Sequence, residues 1–128
     1  MTVEISMLVY SVALLVIVIA IQATAGILAQ GLAAMAGSRD NLGEPSQFQD
    51  RSKRVAENHK EGLLIFAPLV LAAAAVGVST EMTVLGAQLF FYSRVIHAIV
   101  YLAGWPWIRP LVWAVGLVGC LLILFALL

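Results

Sequence analysis

Four long apolar runs, separated by short polar segments, predict helices at about 5–36, 52–78, 81–103 and 109–128. A membrane-spanning helix needs about 20 mostly apolar residues, so each run is long enough to cross a bilayer. Because backbone N–H and C=O groups must find partners within the chain in lipid, the runs predict helices rather than open strands. The pattern therefore predicts an all-α membrane protein in which residues 1–128 form a single domain, a four-helix transmembrane bundle.

The segments between the runs have the composition of turns. The first loop contains Gly and Pro, Ser79-Thr80 before Glu81 indicates a tight turn with an N-cap, and Gly104 opens a short turn that contains two tryptophans. The first run is longer than the apolar stretch of about 7–15 residues in a signal peptide, and no basic residue precedes it. We therefore expect it to remain a membrane helix.

Composition agrees with a membrane protein. Hydrophobic residues make up 62% of the chain and charged residues 11%, whereas a soluble domain carries about 25% charged residues. The formal net charge is zero, so we expect no nucleic-acid partner. The single cysteine, Cys120, excludes an internal disulfide and a cysteine metal cluster.

The basic residues predict an orientation in the membrane. The first loop and the start of the second helix contain five of the seven Lys and Arg residues, namely Arg39, Arg51, Lys53, Arg54 and Lys60. Arg109 ends the third loop, whereas the second loop and both termini have no Lys or Arg. By the positive-inside rule, loops one and three are expected in the cytoplasm and both termini on the opposite side.

Polar chemistry is concentrated at the start of the second helix, since ten of the fourteen charged residues lie between residues 39 and 61. On a continuous helix Arg54, Asn58 and Glu61 share one face, and Arg51 extends that face by one turn. Because an unpaired carboxylate next to hydrocarbon is costly, Glu61 is expected to face the bundle and to have a partner. A solvated helix end with local ion pairs is the alternative interpretation.

The third helix carries a second polar face, formed by Arg94, His97 and Tyr101. Burying Arg94 within the span costs about 2.5–3.5 kcal/mol on insertion scales. An ion pair between Arg94 and Glu61 and a binding site are two compatible interpretations. Arginines with one carboxylate, an amide and a phenol suit a small zwitterionic or anionic ligand, whereas two separated histidines make a poor metal site, so no metal is expected.

The two polar faces together match a known pattern. Two motifs carry this resemblance: Arg54-x-x-x-Asn58-x-x-Glu61 entering helix two, and Arg94-Val95-x-His97-x-x-x-Tyr101 on helix three. Together they resemble the membrane-associated proteins in eicosanoid and glutathione metabolism, the MAPEG family. The resemblance covers nearly the whole chain. It implies a homotrimer of four-helix subunits that binds glutathione, its co-substrate, between neighbouring subunits at the cytoplasmic side.

The resemblance also implies roles for individual residues. Those expected to bind glutathione are Arg51, Arg54, Asn58, Glu61, Arg94, His97 and Tyr101. Arg109 is the expected catalytic residue, because an arginine near the start of helix four is proposed to stabilise the glutathione thiolate in the synthase members, and such a neighbour lowers a thiol pKa.

The activity implied is a glutathione transferase or peroxidase acting on lipophilic electrophiles that arrive from the lipid. Gly62 stands where some relatives carry a tyrosine, and Arg109 is one residue out of the family spacing, which disfavours the eicosanoid-synthase activities. A non-catalytic glutathione- or lipid-binding scaffold of the same fold is the alternative. A small four-helix exporter is a third reading, disfavoured because helix one has no acid after Glu4.

Overall fold

The computed structural model describes residues 1–128 as five α-helices joined by short turns, with no β-strand. The helices are α1 (Val3–Gln30), α2 (Leu32–Ala36), α3 (Gln47–Ala75), α4 (Glu81–Ala103) and α5 (Ile108–Leu127). The predicted all-helical class is thus confirmed.

Side-chain caps fix where the first three long helices begin. The hydroxyl of Thr2 accepts a hydrogen bond from a backbone N–H in the first turn of α1. Ser46 and Gln49 form a reciprocal capping box at the start of α3, and Thr80 and Thr83 form another at the start of α4. Each cap satisfies N–H groups that have no partner within the helix, which is why these helices begin where they do.

The first apolar run does not form the single helix predicted over 5–36. Gly31 has φ +92°, a left-handed backbone that glycine adopts without a Cβ penalty, and it separates α1 from the five-residue helix α2. The structure therefore has five helices where the sequence predicts four. Four of the five are long, and α2 is a single short piece beyond the break.

The loop after α2 is held to the end of α1 by Gln30. The Gln30 side-chain amide donates to the carbonyl groups of Gly43 and Glu44, at 3.2 Å each, and to the side-chain oxygen of Gln49 at 3.3 Å. Its own oxygen accepts from the Gly43 N–H at 2.9 Å. One side chain thus fixes the end of the loop beside the start of α3.

Three helices, α1, α4 and α5, are long and apolar enough to cross a membrane. Exposed side chains on α1, such as Val16 and Ile17, are apolar, as lipid-facing residues are. The helix α3 has 29 residues, but its first half is polar and its apolar part begins only after Glu61.

The interior contains two apolar clusters. The larger one joins α1, α3, α4 and α5 around Phe66 and Phe90, whose rings stack with centroids 4.0 Å apart. The smaller one joins Val18 of α1, Val55 of α3 and Ala98 of α4. Together they set the rotation of α3, so that its buried face points to α1 and α4.

The helices α4 and α5 pack backbone against backbone at Gly86 and Gly119. A Cβ atom built on either glycine would lie 2.5 Å from the carbonyl oxygen of the other. Small residues allow membrane helices to pack backbone against backbone, so this pair sets the distance between α4 and α5.

Candidate functional site

A polar cavity of about 280 Å³ opens where the start of α3 meets the end of α4 and the start of α5. We call it the arginine cavity, and it is lined by Arg51, Arg54, Tyr101, Gly104, Trp105, Pro106 and Arg109. Three guanidinium groups converge there from two helices, and no carboxylate lines it. Such a cavity is suited to an anion.

The backbone of the α4–α5 turn places Arg51 in this cavity. The helix α4 ends at Gly104, which has φ +78° and allows the Trp105 N–H to donate to the Val100 carbonyl at 3.1 Å. The guanidinium of Arg51 lies against Gly104, in the space that a Cβ would occupy. A larger residue here would have to adopt the left-handed backbone and to displace the Arg51 guanidinium.

Two aromatic contacts order the side chains of α4 in the cavity wall. The guanidinium of Arg109 lies 5.0 Å from the centroid of the Tyr101 ring, within the range of a cation–π interaction. The ring of His97, which is 1% exposed, meets the Tyr101 ring edge-on with centroids 5.6 Å apart. Through these contacts the Tyr101 phenol ring joins α5 to the interior of the bundle.

Deeper in the bundle is a second, smaller hollow of about 80 Å³ between α3, α4 and α5. We call it the inner cavity, and its lining residues include Glu61, Gly62, Arg94, Trp113 and Cys120. Its walls are mostly apolar, but one guanidinium and one carboxylate contribute to it.

Arg94 is 3% exposed and its partner is Asn58. One terminal N–H of the Arg94 guanidinium donates to the Asn58 side-chain oxygen, and the Phe90 ring centroid lies 6.0 Å from the guanidinium carbon. The Nε atom of Arg94 is buried without a hydrogen-bond partner. The hydrogen bond links the two polar faces predicted on α3 and α4.

The expectation that Glu61 faces the bundle with a partner was wrong for the single chain. Glu61 is exposed, and the partner of Arg94 is an amide rather than this carboxylate. The reason is the rotation of α3: its buried face passes through His59, Leu63 and Phe66, and Glu61 falls beside that face at the rim of the inner cavity.

A buried histidine that the sequence did not single out anchors α3. The His59 ring, 3% exposed, donates from Nε2 to the Ser11 carbonyl of α1 at 2.7 Å and stacks on Phe90 at 6.4 Å. Because it is next to Asn58 on α3, it fixes the rotation that presents Arg54 and Asn58 to α4.

The predicted site residues thus fall into two neighbouring hollows rather than one. Arg51, Arg54, Tyr101 and Arg109 line the arginine cavity, and Glu61 and Arg94 line the inner cavity. Asn58 contacts Arg94, and His97 contacts Tyr101. Gly104 and Cys120 also line these hollows; the glycine that follows the last turn of α4 is a recognisable C-cap signal, whereas no sequence signal places Cys120 beside Arg94.

Comparison with protein families matches the MAPEG family over residues 6–128, essentially the whole chain. The chain belongs to the MAPEG family. Comparison with curated proteins and with solved structures returns no match. The family match confirms the resemblance carried by the two polar faces, and together with three apolar helices it identifies an integral membrane protein. Members of the MAPEG family generally use glutathione, so a glutathione-related membrane function fits this chain.

Proposed function

We propose that this MAPEG protein is a glutathione-dependent transferase or peroxidase acting on lipophilic electrophiles. The arginine cavity is the observation that carries the proposal. Glutathione has two carboxylates at neutral pH, and Arg51 and Arg54 line a cavity that no acid lines. Arginine pairs with carboxylates through bidentate, charge-assisted hydrogen bonds.

The remaining predicted residues would hold the rest of the tripeptide. The carboxylate of Glu61, at the rim of the inner cavity, is suited to the glutathione ammonium group. Asn58 and Arg94, already hydrogen-bonded to each other, offer an amide N–H₂ and a buried cation between the two hollows. His97 and Tyr101 would line the site from α4.

The exposure of Glu61 supports a site shared between subunits. A carboxylate that faces lipid at the edge of the hydrocarbon is strongly disfavoured, yet Glu61 is exposed in the single chain. A neighbouring copy packed against α3 would cover it. We therefore propose a homotrimer that binds glutathione between its subunits.

We propose that Arg109 is the catalytic residue. Its guanidinium is held over the Tyr101 ring in the cavity wall, where it would favour the thiolate of bound glutathione, the nucleophilic form. In the transferase reaction the thiol proton passes to water and the thiolate sulfur forms a bond to the electrophilic carbon. The leaving group departs with its bonding electron pair, and the lipophilic substrate arrives from the membrane.

We further propose four membrane spans, with α3 as the second. Its apolar part after Glu61 continues to Ala75, and the polar half before it would lie at the membrane surface. The basic residues Arg51, Arg54 and Arg109 then lie at one end of the bundle, which the positive-inside rule assigns to the cytoplasm. Loops one and three would share that side, with both termini opposite.

Glutathione binding to the detergent-purified protein, measured by titration calorimetry, tests the proposal. Arg54→Ala should weaken binding by at least about tenfold, the loss of roughly 1.4 kcal/mol, and Glu61→Gln and Arg94→Ala should also weaken it. Lys53→Ala is the matched control, because Lys53 is exposed and does not line either hollow. A wild-type protein that does not bind glutathione would overturn the proposal.

Turnover is then measured with 1-chloro-2,4-dinitrobenzene and with a lipid hydroperoxide. Conjugation or peroxide reduction that is weakened at low glutathione concentration in Arg54→Ala and kept in Lys53→Ala supports the enzyme. Binding without turnover of any electrophile would instead support the non-catalytic scaffold.

A further inference from the structure

A third hollow lies at the end of the bundle opposite the arginine cavity, and the proposed function does not use it. It measures about 180 Å³ and is lined by Thr2 and Glu4 of the α1 start, by the last turns of α3 and by Ser79 of the turn before α4. We call it the Glu4 cavity. It brings together the beginning of one membrane helix and the end of another.

Glu4 is the charged group of this cavity and has no adequate partner. Its side chain is 2% exposed, and its Oε1 atom is buried without a hydrogen-bond partner. Burying an ionised carboxylate without a partner is very unfavourable. Either a proton or a cation must therefore neutralise it.

The helix ends around Glu4 favour a bound cation in this cavity. Glu4 lies in the first turn of α1, where the positive end of the helix dipole stabilises a negative charge. The end of α3 forms the opposite wall, and its last turn has no basic residue, so its negative dipole end is unopposed. The carboxylate and the negative end of the α3 dipole together attract a positive charge into the cavity.

No side chain of the protein supplies that charge. All seven Lys and Arg residues lie between Arg39 and Lys60 or at Arg94 and Arg109, and none of them is among the residues that line the Glu4 cavity. The first ionisable residue after Ser79 in the chain is Glu81, in the first turn of α4, and it is an acid rather than a base.

The atoms that would ligate the cation decide which class of cation the cavity binds. They are oxygens: the Glu4 carboxylate and the hydroxyl groups of Thr2 and Ser79. Oxygen ligands suit hard cations, and Ca²⁺ or Mg²⁺ sites normally use more than one carboxylate. The structure contains no group of three or more His, Cys, Asp or Glu side chains that would hold a metal ion. One carboxylate balances one positive charge.

We propose that the Glu4 cavity is a binding site for an alkali metal cation, with Glu4 as the charged ligand and Ser79 as a hydroxyl ligand. The ion neutralises the buried carboxylate and ties the start of α1 to the end of α3. Its binding therefore stabilises the bundle at the end away from the glutathione site.

The test is thermal unfolding of the detergent-purified protein at constant ionic strength, with Na⁺ or K⁺ exchanged for N-methylglucamine. Every protein in this test, wild type included, carries an N-terminal extension. The extension moves the positively charged α-amino group away from Glu4, so that it does not take the place of the ion. The wild type should unfold roughly 5 °C higher when the ion is saturating, and Glu4→Gln should show no dependence on the ion. Glu81→Gln, which removes an exposed acid at the same end, should keep the full dependence.

Direct binding of Tl⁺, with K⁺ as competitor, gives a second measurement on the wild type and on Ser79→Ala if Glu4→Gln does not fold. Ser79→Ala should bind Tl⁺ several-fold more weakly. Equal unfolding temperatures in Na⁺, K⁺ and N-methylglucamine, with no Tl⁺ binding, would mean a protonated Glu4 and overturn the proposal. Stabilisation by phosphatidylethanolamine and not by the metal ions would overturn it as well.

Discussion

At the scale of single residues, buried polar side chains connect the helices of this MAPEG protein. His59 joins α3 to α1 through the Ser11 carbonyl, and Asn58 joins α3 to Arg94 of α4. A hydrogen bond to a charged group contributes about 1.5–3 kcal/mol. These bonds therefore add stability while holding the polar face of α3 in one orientation.

Replacing Asn58 tests the first of these connections. Asn58→Ala leaves the buried guanidinium of Arg94 without its only hydrogen-bond acceptor on α3, so we expect a loss of about 2 kcal/mol in stability. The measurement is thermal unfolding in detergent without glutathione, with the exposed Lys60→Ala as control. An unfolding temperature equal to that of the wild type would show that this hydrogen bond does not hold α3 to α4.

Arg109 is tested by the spectrum of the bound thiolate. Arg109→Ala should reduce the thiolate absorbance that appears on adding glutathione far more than it weakens glutathione binding, because a nearby cation favours the ionised thiol. Arg109→Lys should restore part of the signal. An undiminished thiolate signal in Arg109→Ala would remove Arg109 from the proposed mechanism.

At the scale of elements, glycines determine how helices end and how closely they pack. Gly31 breaks the first apolar run, Gly104 ends α4 beneath Arg51, and Gly86 with Gly119 sets the α4–α5 distance. The sequence predicts the positions of the helices well, because apolar runs and capping residues are local signals. No local signal distinguishes a glycine that ends a helix from one that lies inside it, so the sequence does not predict the break at Gly31.

Gly104→Ala tests the coupling between a helix end and the site. Alanine at φ +78° is strained by about 1 kcal/mol, and its Cβ would displace the Arg51 guanidinium. We therefore expect lower stability together with weaker glutathione binding, measured by unfolding and by calorimetry.

The control for this change is Gly37→Ala, at a glycine with negative φ where a Cβ would make ordinary contact at 3.4 Å. It should leave glutathione affinity unchanged. If Gly104→Ala lowered stability but kept full affinity, the position of Arg51 would not matter for the ligand.

At the scale of the whole molecule, the single chain does not cover all of its proposed site, because Glu61 is exposed. The sequence predicts which polar residues share a helix face, since that follows from helix periodicity. It does not predict that they divide between two hollows, or that Glu61 is exposed, because both depend on how α3 is rotated by packing against α1 and α4. Residues such as Phe66 and Phe90, distant in sequence, determine that rotation.

The proposed trimer is tested by native mass spectrometry of the protein released from detergent. We expect three copies per particle, and Glu61→Lys should reduce the trimer fraction because it alters the exposed face of α3. Glu57→Lys, a change of the same kind at an exposed residue that does not line either hollow, is the control. A particle of one copy would leave Glu61 facing detergent and contradict the shared site.

The glycine contact between α4 and α5 has a consequence for biosynthesis. Arg94 makes α4 an unfavourable segment to leave the translocon alone, whereas α5 has no charge after Arg109. Two helices that fit backbone to backbone at Gly86 and Gly119 can partition into lipid as a hairpin, with the apolar partner offsetting the arginine. Ribosomes that have not yet synthesised α5 would then hold α4 outside the bilayer, so integration of α4 waits for α5.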